Sequence, residues 1–201
     1  CDVHLVLKRI VTLIHDGLLE TGLHDWMHFL GTSKLEWATL LTDIQRAVRK
    51  YHNPNFTISF DCASPFLATA NGQLYTNNRI VDRGKWSYKM QPGVDDKKYS
   101  VDTRMFGEVL TNDKNIDFLE GPVSKMLGVK DICIYKPGDL NKNGKEGKTS
   151  WDSFSYCLQM AHNVWAHLNA VQTANEKYDQ GIVPGMLVDD RHDELFARDL
   201  I

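Results

Sequence analysis

Phe56-Thr57-Ile58-Ser59-Phe60-Asp61-Cys62-Ala63-Ser64-Pro65 is the stretch on which the reading of the chain turns. An apolar, β-branched and aromatic run leads into a carboxylate, a cysteine and a chain-turning proline. This pattern predicts a buried strand whose carboxyl end opens into a loop, with Asp61 at the exit. In parallel α/β structures such strand ends carry the chemistry, because the strand holds a side chain rigidly and the loop leaves it accessible.

Working outward on the amino-terminal side, Val3, Leu7, Ile10, Ile14 and Leu18 recur at helical spacing, and Val6, Val11 and Leu13 widen the stripe. Residues 3–19 therefore read as a helix packed on a sheet, ended by Gly17 and Gly22. Residues 26–30 form a short apolar strand. Ser33 and Glu36 have capping-box spacing for a helix running to about Tyr51. Asn53-Pro54 breaks the chain before the central strand, since a residue preceding proline is pushed out of helical geometry. Helix, strand, helix, strand is the rhythm of a parallel α/β arrangement.

On the carboxyl-terminal side, residues 73–81 read as a hairpin turning at Asn77-Asn78, a pair suited to positive φ. Residues 82–100 are charged and without period, as in a surface loop. Short helices are expected over 103–110 and 116–119, and a strand over 132–135. Residues 137–149, rich in glycine and lysine, read as an exposed loop. A long amphipathic helix over 151–180 should bury Phe154, Cys157, Ala161, Val164 or Trp165, Leu168 and Val171, with Gly181 closing it. A last helix is expected over 193–201.

With 201 residues and 42% hydrophobic content, the chain suits one domain or a large piece of one. A formal net charge of -3 supplies no global basic field, so any nucleic acid must be bound by a local patch. Cys1, Cys62, Cys133 and Cys157 are scattered, which fits a reducing, intracellular setting. No apolar run approaches the roughly 18 residues of a membrane span, and no secretory signal is present, so a soluble, cytoplasmic protein without a membrane partner is expected.

Phe60-Asp61-Cys62-Ala63-Ser64-Pro65, followed by Asn71-Gly72-Gln73-Leu74-Tyr75-Thr76, resembles the nucleophile region of the tRNA-guanine transglycosylases. These are (β/α)8-barrel enzymes that exchange guanine for a 7-deazaguanine. Upstream, His28-Phe29-Leu30-Gly31-Thr32 is similar to the family's strand seven. The resemblance implies an α/β fold corresponding to the C-terminal part of a TIM-type barrel, strands seven and eight. Residues 1–76 would carry the active-site strand ends, 77–150 an insertion with a hairpin and loop, and 151–201 a helical region. The first six strands, and with them the family's general acid/base carboxylate, would lie upstream of Cys1 or be supplied by a partner chain.

In this comparison Asp61 is the nucleophile, and Leu30, Gly31, Phe60 and Cys62 fall at substrate-pocket positions. Read without it, Asp61 equally suits a turn cap, Leu30 a strand core, Gly31 a tight turn and Cys62 a buried small hydrophobe. Asn71, Arg79, Arg83 and Lys85 are the candidate nucleic-acid contacts. Arg79, Arg83, Lys85, Trp86, Tyr88 and Lys89 interleave basic and aromatic side chains after the expected hairpin, and Lys142, Lys145 and Lys148 add a second cluster.

Departures from the family pattern narrow the reading. Leu67 and Ala70 stand where the tRNA enzymes place two arginines that grip the anticodon loop, which points to the branch that inserts 7-deazaguanines into DNA in phages and bacteria. The family's zinc knuckle is missing, and its histidine position falls near Gln172. No metal or cofactor is expected. His162 and His167, five apart, read as ordinary helix residues. Asp139-Leu140-Asn141-Lys142-Asn143-Gly144 opens like a calcium loop, but Ser150 stands at its twelfth position, and a solvated loop is the better reading. The expected activity is exchange of guanine for a 7-deazaguanine base in DNA through a covalent aspartyl intermediate. The alternatives are a tRNA-directed enzyme of the same kind or a non-catalytic, nucleic-acid-binding subunit.

Overall fold

In the computed structural model, which describes residues 3–94, 97–132 and 153–188, the chain divides after Cys62 into two units, Cys1–Cys62 and Ala63–Ile201. The expected boundary at residue 76 lies inside a strand of the second unit. Among the described residues the strands form two two-stranded sheets, one parallel and one antiparallel.

The first unit runs α1 (Val3–His15), β1 (Trp26–Phe29), α2 (Leu35–Tyr51) and β2 (Thr57–Phe60). β1 and β2 pair in parallel, with Trp26 opposite Thr57 and Phe29 opposite Phe60. Parallel neighbours cannot be joined by a tight turn, and α2 is the crossover between them. Its Leu35, Ala38, Leu41, Ile44 and Val48 are buried, as is Phe56 at the approach to β2. A fully buried Leu or Ile stabilises by roughly 1.5–3 kcal/mol, so this stripe is what fixes α2 in place. α2 starts at Leu35 with Lys34 as its N-cap, one residue after the expected Ser33. In α1 only Ile10 is buried, and Val11 of its apolar stripe lies on the surface, as does Leu5.

α2 also covers one edge of this sheet. Thr57 N–H bonds to Asp25 on the β1 side, so the N–H of Ile58 and the carbonyl of Phe56 face the other way. Gln45 Oε1 accepts the Ile58 N–H at 2.6 Å, and Arg49 donates to the Phe56 carbonyl. Bare strand edges invite pairing, and here helix side chains occupy the outer edge of β2.

The second unit runs α3 (Ser64–Ala70), β3 (Gln73–Arg79), β4 (Ser87–Pro92), a 3₁₀ turn (Lys97–Val101), α4 (Phe106–Glu108), α5 (Val129–Ile132) and α6 (Ser153–Asp179). β3 and β4 pair antiparallel, with a bulge between Tyr75 and Asn77. Asn77 and Asn78 are strand residues rather than the turn. The chain reverses further on, where Arg83 takes φ 52° and the Gly84 N–H bonds to the Val81 carbonyl. Residues 182–185 brace that reversal: Arg83 N–H donates to the Val183 carbonyl, and Gly185 N–H to Gly84.

The charged stretch 82–100 is thus not simply a surface loop. It contains β4 and the buried Trp86, Val94 and Tyr99. Val94 and Tyr99 join Leu74, Phe106, Val109, Leu110, Leu127, Val129 and Ile132 in one core. α4 continues into a π-helical turn, Val109–Asp113. Residues 116–119 are not helical. Ile116 and Phe118 pack on the core while Asp117 and Leu119 face outward, and the Leu119 N–H donates to the Thr76 carbonyl. Ile132 ends a helix where a strand was expected, and residues 133–135 lie outside the described residues. So do the expected loop 137–149 and the terminal helix 193–201.

α6 matches the expected length, and Gly181 closes it at φ 87°. Its buried face differs from the predicted stripe. Cys157, Ala161 and Leu168 are exposed, while Gln159, His162, Asn163, His167, Ala170 and Ala174 are buried. The reason lies in the hairpin. Asn163 accepts the Tyr75 N–H and donates to the Gln73 carbonyl and Thr69 Oγ1, and His162 bonds to the Tyr75 carbonyl. Strand groups not bonded within the β3–β4 ladder need partners, and polar helix residues meet that need where apolar ones would leave it open. Among the described residues, no helix is long and apolar enough to cross a membrane.

Candidate functional site

The carboxyl ends of β1 and β2 bring together the residues singled out around Asp61. Because Phe29 and Phe60 are register partners, Leu30 and Asp61 leave the sheet side by side. Gly31 turns the chain at φ 73°, a conformation suited to glycine, and its N–H donates to Asp61 Oδ1 at 3.0 Å. The Asp61 side chain is 59% exposed, so one oxygen is fixed while the group remains open to solvent. Leu30 is 82% exposed and is not strand core. Phe60 and Cys62 are half-buried.

Three further side chains line the face of the sheet that leads to this end. Trp26 and His28 alternate on one face of β1, and Ser59 lies opposite His28 on β2. Trp26 Nε1 donates to Ser59 Oγ at 2.8 Å, Ser59 Oγ meets His28 Nδ1 at 2.9 Å, and His28 Nε2 stands 3.5 Å from Asp61 Oδ1. The Trp26 and His28 rings lie 5.8 Å apart. Sequence reasoning passed over Trp26, His28 and Ser59 as site residues. The signal that finds them is strand alternation: positions 26, 28, 59 and 61 share a face once the two strands pair in register.

The start of the same unit is tied down by Asn53, which is fully buried. Its Nδ2 donates to the Leu19 carbonyl and to Asp25 Oδ1, both at 3.0 Å, and its Oδ1 accepts from Thr21 Oγ1 and the Asn55 N–H. The bond from Asn53, together with the Gly22 N–H, holds the Asp25 carboxyl below the usual aspartate range. This clasp sets where β1 begins and hence where Leu30 and Gly31 emerge.

The candidate nucleic-acid residues all belong to the second unit. Arg79, Arg83 and Lys85 are exposed around the hairpin reversal. Asn71 caps α3 at the other end of β3, about 20 Å along the strand. The aromatic residues interleaved with them do not present stacking faces. Trp86 is buried, with its Nε1 bonded to the Val81 carbonyl, and Tyr88 is stacked on His167 with ring centroids 4.8 Å apart. Lys89 pairs with Asp117 at 3.0 Å, which lowers the Asp117 carboxyl pKa. The expected basic and aromatic surface is therefore reduced to a basic turn. Leu67, at one of the family's arginine positions, is exposed on α3, and Ala70 is half-buried. Lys142, Lys145, Lys148 and the calcium-like stretch 139–150 lie outside the described residues.

His162 and His167 lie in α6, as expected for helix residues, and are buried against the hairpin. Burial lowers the pKa of both. Gln172 is exposed. Among the described residues, no group of three or more His, Cys, Asp or Glu side chains is placed to hold a metal ion. Comparison with known proteins finds no matching family model, no matching curated protein and no matching solved structure.

Proposed function

We propose that the chain is the nucleophile-bearing part of a transglycosylase that exchanges guanine for a 7-deazaguanine base in nucleic acid, with DNA as the substrate. The observation that carries this reading is the placement of Asp61. It is an open carboxylate at the carboxyl end of paired parallel strands, with Oδ1 bound by the Gly31 N–H and no bond to Oδ2 among the described residues. A nucleophile in such an exchange needs one oxygen held and the other presented.

In this mechanism Asp61 Oδ2 attacks C1′ of the nucleotide. The C1′–N9 bond breaks, its electron pair leaves with guanine, and guanine takes up a proton. The incoming 7-deazaguanine then gives up its N9 proton and attacks C1′. The new glycosidic bond forms as the aspartyl C1′–O bond breaks, and the carboxylate is regenerated. Exposed Leu30 and half-buried Phe60 and Cys62 are the apolar groups at hand for the base, and Arg79, Arg83, Lys85 and Asn71 are the candidate contacts to the nucleic acid. No redox or nucleotide cofactor enters this chemistry. The loss of arginine at positions 67 and 70 favours DNA over the anticodon loop of a tRNA.

β1 and β2 would be strands seven and eight of a (β/α)8 barrel. Closure of that barrel would require a further strand to take the Ile58 N–H and Phe56 carbonyl from Gln45 and Arg49.

The test is intact-mass spectrometry of the protein after incubation with duplex DNA and, separately, with tRNA. A covalent glycosyl adduct that is lost in Asp61→Asn is the expected result, and the substrate that forms it names the nucleic acid. Absence of an adduct with both when the upstream half of the barrel is joined to the chain, while binding persists, would overturn the catalytic reading in favour of a binding subunit.

A further inference from the structure

We infer that His28, oriented by Ser59 and Trp26, is a positioning residue that holds Asp61 for attack, an assignment that rests on the reading of Asp61 as the nucleophile. The inference comes from the chain of contacts Trp26 Nε1 to Ser59 Oγ, Ser59 Oγ to His28 Nδ1, and His28 Nε2 to Asp61 Oδ1.

Donor and acceptor bookkeeping sets the direction of this chain. The indole N–H can only donate, so Ser59 Oγ accepts from Trp26 and its hydroxyl proton is left to give. A neutral imidazole has one N–H and one bare nitrogen. If the N–H were at Nδ1, the bare Nε2 would face the Asp61 carboxylate and repel it. With the proton at Nε2, Nδ1 accepts from Ser59 and Nε2–H points at Oδ1. The Ser59 bond is then made and Nε2–H faces the carboxylate, so the ring favours one tautomer, as when the partner of one ring nitrogen decides the role of the other.

Oδ1 accepts the Gly31 N–H at 3.0 Å, and His28 Nε2 stands 3.5 Å from the same oxygen, close enough to orient it without a formed hydrogen bond. The first comes from the turn after β1 and the second from the face of β1, so together they define the plane of the carboxylate. Oδ2 is left as the attacking atom. The 3.5 Å contact is long for a hydrogen bond, and contacts of this kind tighten when substrate closes the site. A rigid strand pair supplies the frame, since His28 and Ser59 are register partners.

The experiment uses the full chain and two readouts. The first is the rate of the glycosyl adduct on Asp61 in wild type, His28→Phe, His28→Gln and Ser59→Ala, with thermal melting of each variant. His28→Phe removes the donor and should slow adduct formation roughly tenfold to hundredfold with substrate affinity unchanged. His28→Gln restores an N–H at the Nε2 position and should recover most of that loss. Ser59→Ala should fall between them. The second is the ¹⁵N NMR signature of the His28 ring, assigned by its disappearance in His28→Gln. An Nε2–H tautomer in wild type, passing to a mixture in Ser59→Ala, is expected.

Wild-type rates in His28→Phe with the adduct still formed would overturn the positioning role and leave the nucleophile in place. Equal slowing in His28→Phe and His28→Gln, accompanied by lowered melting, would overturn it in favour of a structural role. An Nδ1–H tautomer in wild type would overturn the relay directly. No adduct in wild type would sink the parent reading of Asp61, and the positioning role with it.

Discussion

His162 donates its Nε2–H to the backbone carbonyl of Tyr75 at 2.9 Å while only 1% exposed. Burial in this position favours the neutral form of the histidine. Burial lowers its pKa, and the Tyr75 bond offsets this only in part. Its ring stacks with Phe118 at 5.2 Å, and His167 is buried on the same helix with its pKa also lowered by burial.

The pH dependence of stability follows from this. The unfolded chain takes up protons on these histidines below about pH 6.5, whereas the folded chain resists them. Their contribution is therefore complete above about pH 6.5 and is lost as the pH falls toward their lowered folded values. Asp25, Asp102, Asp113 and Asp117, whose pKa values lie below 3.8 in the fold, lose their contribution only at still lower pH. Denaturant midpoints should drop between about pH 7.5 and about pH 5, and His162→Gln, which keeps a donor for the Tyr75 carbonyl, should flatten that drop. An unchanged slope in the variant would show that His162 does not carry the effect.

Asn163 is the second anchor of the hairpin and is fully buried. Its amide serves the Tyr75 N–H, the Gln73 carbonyl and Thr69 Oγ1 at once. Asn163→Ala strands these groups, and an unpaired buried polar group costs about 1–3 kcal/mol, so a total loss of about 2–4 kcal/mol is expected. Urea unfolding of the two proteins measures it.

Gly121 has no room for a side chain, because a Cβ there would enter the face of the Trp165 ring. A rigid indole has fewer ways to move aside than the tip of a flexible chain. Gly121→Ala should destabilise by about 1–3 kcal/mol, visible as a lower melting temperature. At Gly107 the nearest atoms belong to the end of the Glu120 side chain, which can move, and Gly107→Ala should cost less.

Gln45 tests the state of the sheet edge. With Gln45 serving the Ile58 N–H, Gln45→Ala should cost about 1 kcal/mol. If a further strand takes that edge in a barrel, the substitution should be close to silent in the assembled protein. Hydrogen exchange at the Ile58 amide distinguishes the two.

Much of the first unit is legible without coordinates. The strand at 57–60, the helix crossing over to it and the exit of Asp61 follow from period and from Asn53-Pro54, which are local properties, although none of residues 57–60 is buried as the apolar run suggests. The second unit is less legible, and α6 shows why. Its apolar residues suggest a face through Ala161 and Leu168, yet the chain buries Gln159, His162, Asn163 and His167 instead. Hydrophobic period assumes that burial rewards apolar surface alone. It fails where a bulged hairpin presents groups that only polar side chains can bond. The same failure moved the hairpin turn past Asn77-Asn78, whose turn propensity yielded to pairing with β4 and to the bond from Asn77 to Asp117.

The sequence by itself determined the helix and strand order through residue 60, the carboxylate at the strand exit and the closing of α6 by Gly181, because each depends on neighbours within a few positions. Only the tertiary structure decided that Trp26, Ser59 and His28 converge on Asp61, and that two histidines are buried beneath a hairpin with lowered pKa values. Those relationships join residues from about 30 to 90 positions apart, and it is strand register and hydrogen-bond demand that bring such distant groups together.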